Sequence, residues 1–419
     1  MKSCLTIKFL FSVALIVGLS SCDKSPIEQV KSITEDKYPV ANMPDEPLDT
    51  LLEITREPKR LAMTSTWSAG VKDDGTLWTW GTGSLLRKTE TGQDPTPRPV
   101  DGIHDAVAVS ASTSHMLLLR KDGTVWGSGS NHDGEIDPSD DDTSIDELRQ
   151  IKGIDNVVDI SAGSSISFFI KKDGTVYALG KNEAGLFGEV IDKLKIPTKI
   201  YGLNNIVKIS GMADDFLALN KKGEIFSQAT TPQALGLENQ QFIKNSNGVN
   251  IFPITKLSFN KKAVDLSNGS AKLVLLEDGT VWSWRDTNFT GLGRIKKDFI
   301  YKPTRISTLS KVKKVTNYSA MTQNGDLYTW GLYTISCEDC YPNGAKSQYF
   351  YKPIKISKNV AIHQFINTDF HNGYIDKDGW LWTWGNNKYA TAGTGKLQQT
   401  NWSLKESLLT PEKSLFNIH

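Results

Sequence analysis

The sequence predicts an all-β fold, a seven-bladed β-propeller, on three observations. A short phrase centred on Asp-Gly recurs seven times along the chain. Successive copies lie 48, 51, 49, 56, 46 and 54 residues apart. Around each copy are short β-forming runs, enough for three to four strands per unit. A lone four-stranded blade cannot bury both of its faces, whereas seven arranged in a ring can.

Ahead of the repeats the 419-residue chain carries a targeting segment. Lys2 and Lys8 bracket a short positive region, and Phe9 to Leu19 is an apolar run broken only by Ser12 and Gly18. That run is shorter than the roughly 20 residues a membrane span needs, and has the length of a secretory signal core. It ends in LSSC at 19–22, which resembles the bacterial lipobox. The resemblance implies cleavage before Cys22 and attachment of a diacylglycerol, with its palmitate-type chains, to the cysteine sulfur. An ordinary signal peptide with an unrelated cysteine is the competing reading. The domains expected are a lipoprotein signal peptide at 1–21, a lipidated tether at 22–54 and the propeller at 55–419. Pro26, Pro39, Pro44 and Pro47 keep the tether extended rather than helical.

The repeats align on Gly75, Gly123, Gly174, Gly223, Gly279, Gly325 and Gly379. Asp precedes the glycine in five copies, Lys222 and Asn324 in the others. Asp-Gly predicts a two-residue hairpin turn with both central residues at positive φ. An aliphatic residue follows two positions later and an aromatic three positions later, as in Val125 and Trp126. Both are expected to pack between blades. An apolar residue stands four positions before each glycine, as at Leu119 and Ile170. A β-like run such as NVVDIS at 156–161 precedes the hairpin. Before it lies a proline-marked segment, as at 96–100 and 301–307, suited to an edge strand. Copy one shows no clear upstream strands, and residues 397–409 are expected to supply an edge strand that closes the ring.

With WTWG at 78–81, LYTWG at 327–331 and WTWGNN at 382–387, the unit resembles the regulator of chromosome condensation repeat. His115 and His371, each eight residues before a turn glycine, stand where that family often has histidine. The resemblance covers about residues 60–400 and implies the propeller fold. It says much less about activity. Copy four departs furthest, with KKGEIFSQA at 221–229, and copy five ends in Trp284-Arg285 instead of Trp-Gly.

No catalytic constellation stands out. Seven copies of one carboxylate at hairpin turns suit a structural role, because catalysis needs one converging set of groups. The arginines show no recurring cluster of the kind a sialidase-type propeller uses to hold a carboxylate. His115 and His371 fall in well-separated copies, so a shared metal is not expected, and neither a metal nor a cofactor is predicted. CEDC, with Cys337 and Cys340, admits a redox pair, half a zinc site or a loop-stapling disulfide, the last being favoured in an oxidising compartment. HDGEIDPSDDDTSIDE at 132–147 does not match an EF-hand and reads as a solvated acidic loop. Asp140, Asp141 and Asp142 in it, with Tyr333 and Tyr341 of copy six, are the candidate binding surface.

Net charge is +1, with acids and bases dispersed. This removes the clustered basic face that nucleic-acid binding needs. The expectation is a monomeric, non-enzymatic scaffold in the bacterial cell envelope, held by lipid to the outer membrane. It would bind another protein or a glycan through the segments that do not repeat, at 130–150, 228–254 and 332–348. The alternative is an envelope glycan hydrolase or lyase, marked by charged residues from several copies converging on the central channel. Nucleotide exchange on a small GTPase, as in the family's eukaryotic namesake, fits poorly with export and near-neutral charge.

Overall fold

The computed structural model describes residues 58–83, 86, 92–187, 191–212, 214–237, 241–244, 248–269, 271–285, 291–294, 302–335, 346–357, 362–367, 371–385, 387, 389–396 and 411–419. They form a seven-bladed β-propeller. Blade 1 contains β1 (Leu61–Met63), β2 (Trp67–Val71), β3 (Leu77–Thr82) and β4 (Gln93–Pro99), all antiparallel in chain order. Blade 2 repeats this with β5 (Ala106–Ala111), β6 (His115–Arg120), β7 (Val125–Ser130) and β8 (Ser144–Gln150). Blade 3 has β9 (Val157–Gly163), β10 (Ile166–Lys171), β11 (Val176–Gly180) and β12 (Thr198–Lys199).

Blade 4 runs β13 (Ile206–Met212), β14 (Asp215–Asn220) and β15 (Ile225–Ala229). The single-turn helix α1 (Pro232–Leu235) and the extra strand β16 (Ile243–Lys244) then precede its outer strand β17 (Asn250–Leu257). Blade 5 is β18 (Ala263–Asn268), β19 (Lys272–Leu276), β20 (Val281–Trp284) and β21 (Thr304–Arg305). Blade 6 is β22 (Val312–Thr316), β23 (Ser319–Thr322), β24 (Leu327–Ile335) and β25 (Lys346–Ser357). Blade 7 is β26 (Ile362–Asn367), β27 (His371–Asp376), β28 (Trp380–Gly385) and β29 (Glu412–Asn417). The inner strands β1, β5, β9, β13, β18, β22 and β26 each neighbour the next, and β26 returns to β1.

Two sequence expectations about strands are corrected. The proline-marked segments are edge strands, but each closes the blade before it. Thus β4, with Pro95, Pro97 and Pro99, pairs with β3 and not with the blade that follows. Pairing after the hairpin leaves its far edge free, where a missing N–H costs nothing. Copy one, moreover, has its own inner strand in β1. The segment 397–409 lies outside the described residues, and the strand that ends the ring is β29, the outer strand of blade 7.

The repeated phrase makes a different turn from the one predicted. Only the glycine has positive φ, 79° at Gly123, while Asp122 does not. The Gly123 N–H donates to Arg120 O at 3.0 Å and the Arg120 N–H to Thr124 O at 3.1 Å. This is a tight turn followed by a left-handed glycine bulge. The Asp122 carboxylate accepts the Thr124 N–H at 2.9 Å and the Thr124 hydroxyl at 2.7 Å. The Trp126 indole N–H donates in turn to that hydroxyl at 3.2 Å. Copies one and five repeat the Trp–Thr–Asp chain through Trp78, Thr76 and Asp74, and through Trp282, Thr280 and Asp278.

The glycine is also a joint between blades. Its carbonyl accepts from the first inner-strand N–H of the next blade, Gly123 O from Val157 at 3.1 Å and Gly174 O from Ile206 at 3.0 Å. A Cβ at Gly174 would fall 2.7 Å from the Asn205 Cα, so no side chain fits there. The core is the aliphatic position: Leu77, Val125, Val176, Val281, Leu327 and Leu381 have no exposed surface. The aromatic beside it is only half-buried, against expectation. Alternation turns it to the opposite face near the open end of the blade, where cations cover it, as Arg120 covers Trp126. In the copies with a second aromatic two positions on, that one is buried, at Trp80, Trp284, Trp330 and Trp384.

Candidate functional site: the face of long connections

Antiparallel order divides the connections between two faces. Hairpin turns and blade-to-blade links share one face; they run three to six residues and repeat in sequence. The connections from third to outer strand share the opposite face, with the short links from inner to second strand. Those third-to-outer connections span ten residues (83–92) to twenty-six (386–411) and do not repeat. The three non-repeating segments singled out from sequence all reach this face.

In blade 2 the acidic connection is ordered from within. The Asn131 amide donates to the carbonyls of Asp137, Asp140 and Asp142 at 2.9, 3.4 and 3.2 Å. Its oxygen accepts the N–H groups of Ile136 and Asp137. Asp140 is paired with Arg149, and the Asp142 N–H together with that guanidinium holds its carboxyl below the usual range. Asp141 and Asp142 are exposed. Tyr333 falls in β24 opposite Gln348. Tyr341, Cys337, Cys340 and Cys22 lie outside the described residues. Among the described residues, no cluster of three metal-ligating side chains occurs.

In blade 4 the excursion folds into α1 and the β16–β17 hairpin. Thr231 caps α1 by accepting the Ala234 N–H, and Gly236 ends it with φ 90°. Ile243 pairs with Ile251, and the hairpin presents Phe242, Ile243 and Val249 to solvent at 46, 49 and 36% exposure. Sequence reasoning marked the segment but not these side chains.

Several groups of catalytic type serve packing instead. His115 Nε2 lies 2.9 Å from Ser167 Oγ, an arrangement suggestive of a base and a nucleophile. Both are wholly buried, and Ser167 Oγ donates to Glu135 O at 2.8 Å, so no substrate reaches them. Burial pushes the His115 pKa down to about 4, and the ring is neutral. Along the channel, charged groups from several blades do converge, but as pairs. Lys59 reaches Asp159 at 3.1 Å and the Ile160 carbonyl at 2.6 Å. Lys208 pairs with Asp265, whose other oxygen accepts the Val315 N–H at 3.0 Å.

Blades 4 and 5 share a buried ionic cluster that sequence reasoning missed. Asp215 stands at the position of His115, eight residues before its turn glycine. Its carboxylate meets the Arg285 guanidinium, accepts the Asn268 amide at 2.8 Å and lies 3.6 Å from Lys272 Nζ. Asp215 and Lys272 are wholly buried, and burial pushes the Lys272 pKa down to about 8. Arg285 occupies the left-handed position that glycine fills in Trp-Gly copies, with φ 48°. The departure of copy five at Arg285 is therefore one half of an ion pair whose other half stands in copy four.

These features define a seven-bladed β-propeller with one regular face and one variable face. Two of its repeats, at residues 106–135 and 157–185, match the regulator of chromosome condensation (RCC1) repeat. The chain is 22% identical over 392 residues to the guanine nucleotide exchange factor SRM1 of Saccharomyces cerevisiae, covering 77% of this chain and 80% of that one. It is 21% identical over 353 residues to the human E3 ubiquitin-protein ligase HERC2, matching 78% of this chain but 7% of the ligase's length. Yeast RCC1 (Prp20), solved bound to Kap60, superposes with a TM-score of 0.64 at 19% identity, covering 97% of this chain and 92% of that one. Human WBSCR16 also gives 0.64, at 18% identity, over 81% of this chain and 95% of that one. At these identities the structural likeness shows the fold.

Proposed function

We propose that this chain is a non-enzymatic binding scaffold, lipid-anchored through Cys22 to the bacterial outer membrane, which engages another macromolecule with its face of long connections. The observation that carries the reading is the separation of a repeating face from a non-repeating one bearing an exposed apolar tip at Phe242, Ile243 and Val249. Rigid propellers and solenoids present variable loops in this way. The first described residues lie toward the regular face, where Arg60 pairs with Asp73 of the blade 1 turn. Hydrolysis of glycans is the weaker reading, because Asp159 and Asp265 are already held by lysines and backbone N–H groups.

Two measurements test this. Cys22→Ala should abolish incorporation of labelled palmitate and release the protein from the membrane fraction; unchanged labelling overturns the anchor. Capture from solubilised envelope should yield a saturable partner that is lost on replacing 241–251 by a short turn. Lys121→Glu on the opposite face should retain it. Equal capture by both variants overturns the assignment of the face.

A further inference from the structure

We propose that the cleft between blades 1 and 2 on the face of long connections is a binding site for one neutral sugar ring. This does not depend on the lipid anchor or on a macromolecular partner. The cleft holds about 200 Å³, below the roughly 300–1,000 Å³ of drug-sized ligand sites. Seven of its twelve lining residues are Ser or Thr, and none carries a formal charge.

Comparison with the next joint explains why the space exists. Between blades 2 and 3 the corresponding position is sealed: His115 is wholly buried and bonded to Ser167 across the joint. In blade 1 the residue eight before the turn glycine is Trp67, and the residue facing it is Met116, the counterpart of Ser167. No hydrogen bond joins them, and although Met116 is buried, a cleft remains beside the half-buried indole.

The polar groups fit a polyol. Thr82 Oγ1 donates to Tyr389 O at 3.0 Å, Ser128 Oγ to Ile145 O at 2.9 Å and Ser144 Oγ to Asp146 Oδ1 at 3.2 Å. Their protons are committed, so these oxygens offer lone pairs, which sugar hydroxyls can donate to. Among the described residues, Thr66 Oγ1 and Trp67 Nε1 donate to no protein group, and they supply the donors a sugar oxygen needs. The C–H groups of a sugar ring pack against the electron-rich face of an indole. An anionic or cationic ligand would lose hydration here with no counter-charge to replace it.

The test is titration of the full soluble chain (residues 23–419) with neutral hexoses and N-acetylhexosamines, read by tryptophan fluorescence and by calorimetry. A single ring should bind saturably with a dissociation constant on the order of 1 mM. Thr66→Val should weaken it by about tenfold. Ser144→Arg, at the exposed rim, should abolish it while leaving the melting temperature unchanged. Absence of saturation by every neutral sugar up to roughly a hundred times that constant overturns the proposal. So does binding that survives Ser144→Arg, or preference for a phosphorylated or acidic sugar.

Discussion

At the scale of single residues, the Thr of Asp-Gly-Thr links the turn to the strand after it. Thr124 donates to Asp122 and accepts from Trp126, so Thr124→Val removes both bonds with little change of shape. It should cost about 1–2 kcal/mol, read from the midpoint of urea denaturation. Thr76, Thr175 and Thr280 make the same bond to Asp74, Asp173 and Asp278. In all four turns that bond holds the Asp pKa below its ordinary value of 3.8. A depressed carboxylate contributes stability above its unfolded pKa and loses it as pH falls through the folded one, so these turns weaken only below about pH 4. His115 acts in a higher window. Unfolded it takes up a proton below its ordinary 6.5, and folded it resists to about 4. The stability it contributes above pH 6.5 is lost as pH falls toward 4, by roughly 3 kcal/mol in all. His115→Gln should flatten stability against pH across that interval while leaving the loss below pH 4 in place. An unchanged slope would show that His115 is not its source.

At the scale of elements, the joints between blades carry the individuality of the chain. Most pack apolar strand against apolar strand, but the joint of blades 4 and 5 buries Asp215 and Lys272 beside the partly exposed Arg285. Arg285 holds a left-handed backbone that costs a non-glycine residue about 1 kcal/mol or more. Restoring glycine relieves that cost yet removes the main partner of a wholly buried carboxylate. Arg285→Gly should therefore destabilise the chain by about 3 kcal/mol. Asp215→Asn together with Arg285→Gly should recover at least about 1 kcal/mol of the sum of the single losses in a double-mutant cycle. Additive losses would mean that the two residues act separately.

At the scale of the molecule, the ring and its seven blades were legible because the turn chemistry recurs every 46 to 56 residues, and a repeat needs no long-range information to be seen. What escaped was whatever depends on two copies at once. The outer strands were placed one blade late, since proline marks an edge without saying whose edge it is. The residues of the Asp215–Arg285 pair lie 70 positions apart, and only Arg285 shows in sequence as a departure from the pattern. The apolar tip of blade 4 was legible as a segment but not as a surface, because exposure is a property of the packed ring. Sequence places the closing strand at 397–409, outside the described residues; among the described ones it is β29. Every blade is continuous in the chain, so no shared strand fastens blade 7 to blade 1. The terminal residues take the place that a following blade would fill. The Ile418 N–H donates to Gly379 O at 2.9 Å, as Val157 does to Gly123, and Ile418 O accepts the Asp73 N–H at 2.7 Å. Phe416 stacks on Trp80 of blade 1 with centroids 5.2 Å apart and lies against Gly70, where a Cβ would come within 2.3 Å of its ring. The last eight residues thus serve as both outer strand and clasp. Phe416→Ala should cost about 3–5 kcal/mol and lower the melting temperature. Removing residues 412–419 should go further, raising hydrogen exchange first in β1, β2, β27 and β28, because an opened ring frays from its two free blades. If exchange instead rises uniformly around the ring, closure does not reside in this segment.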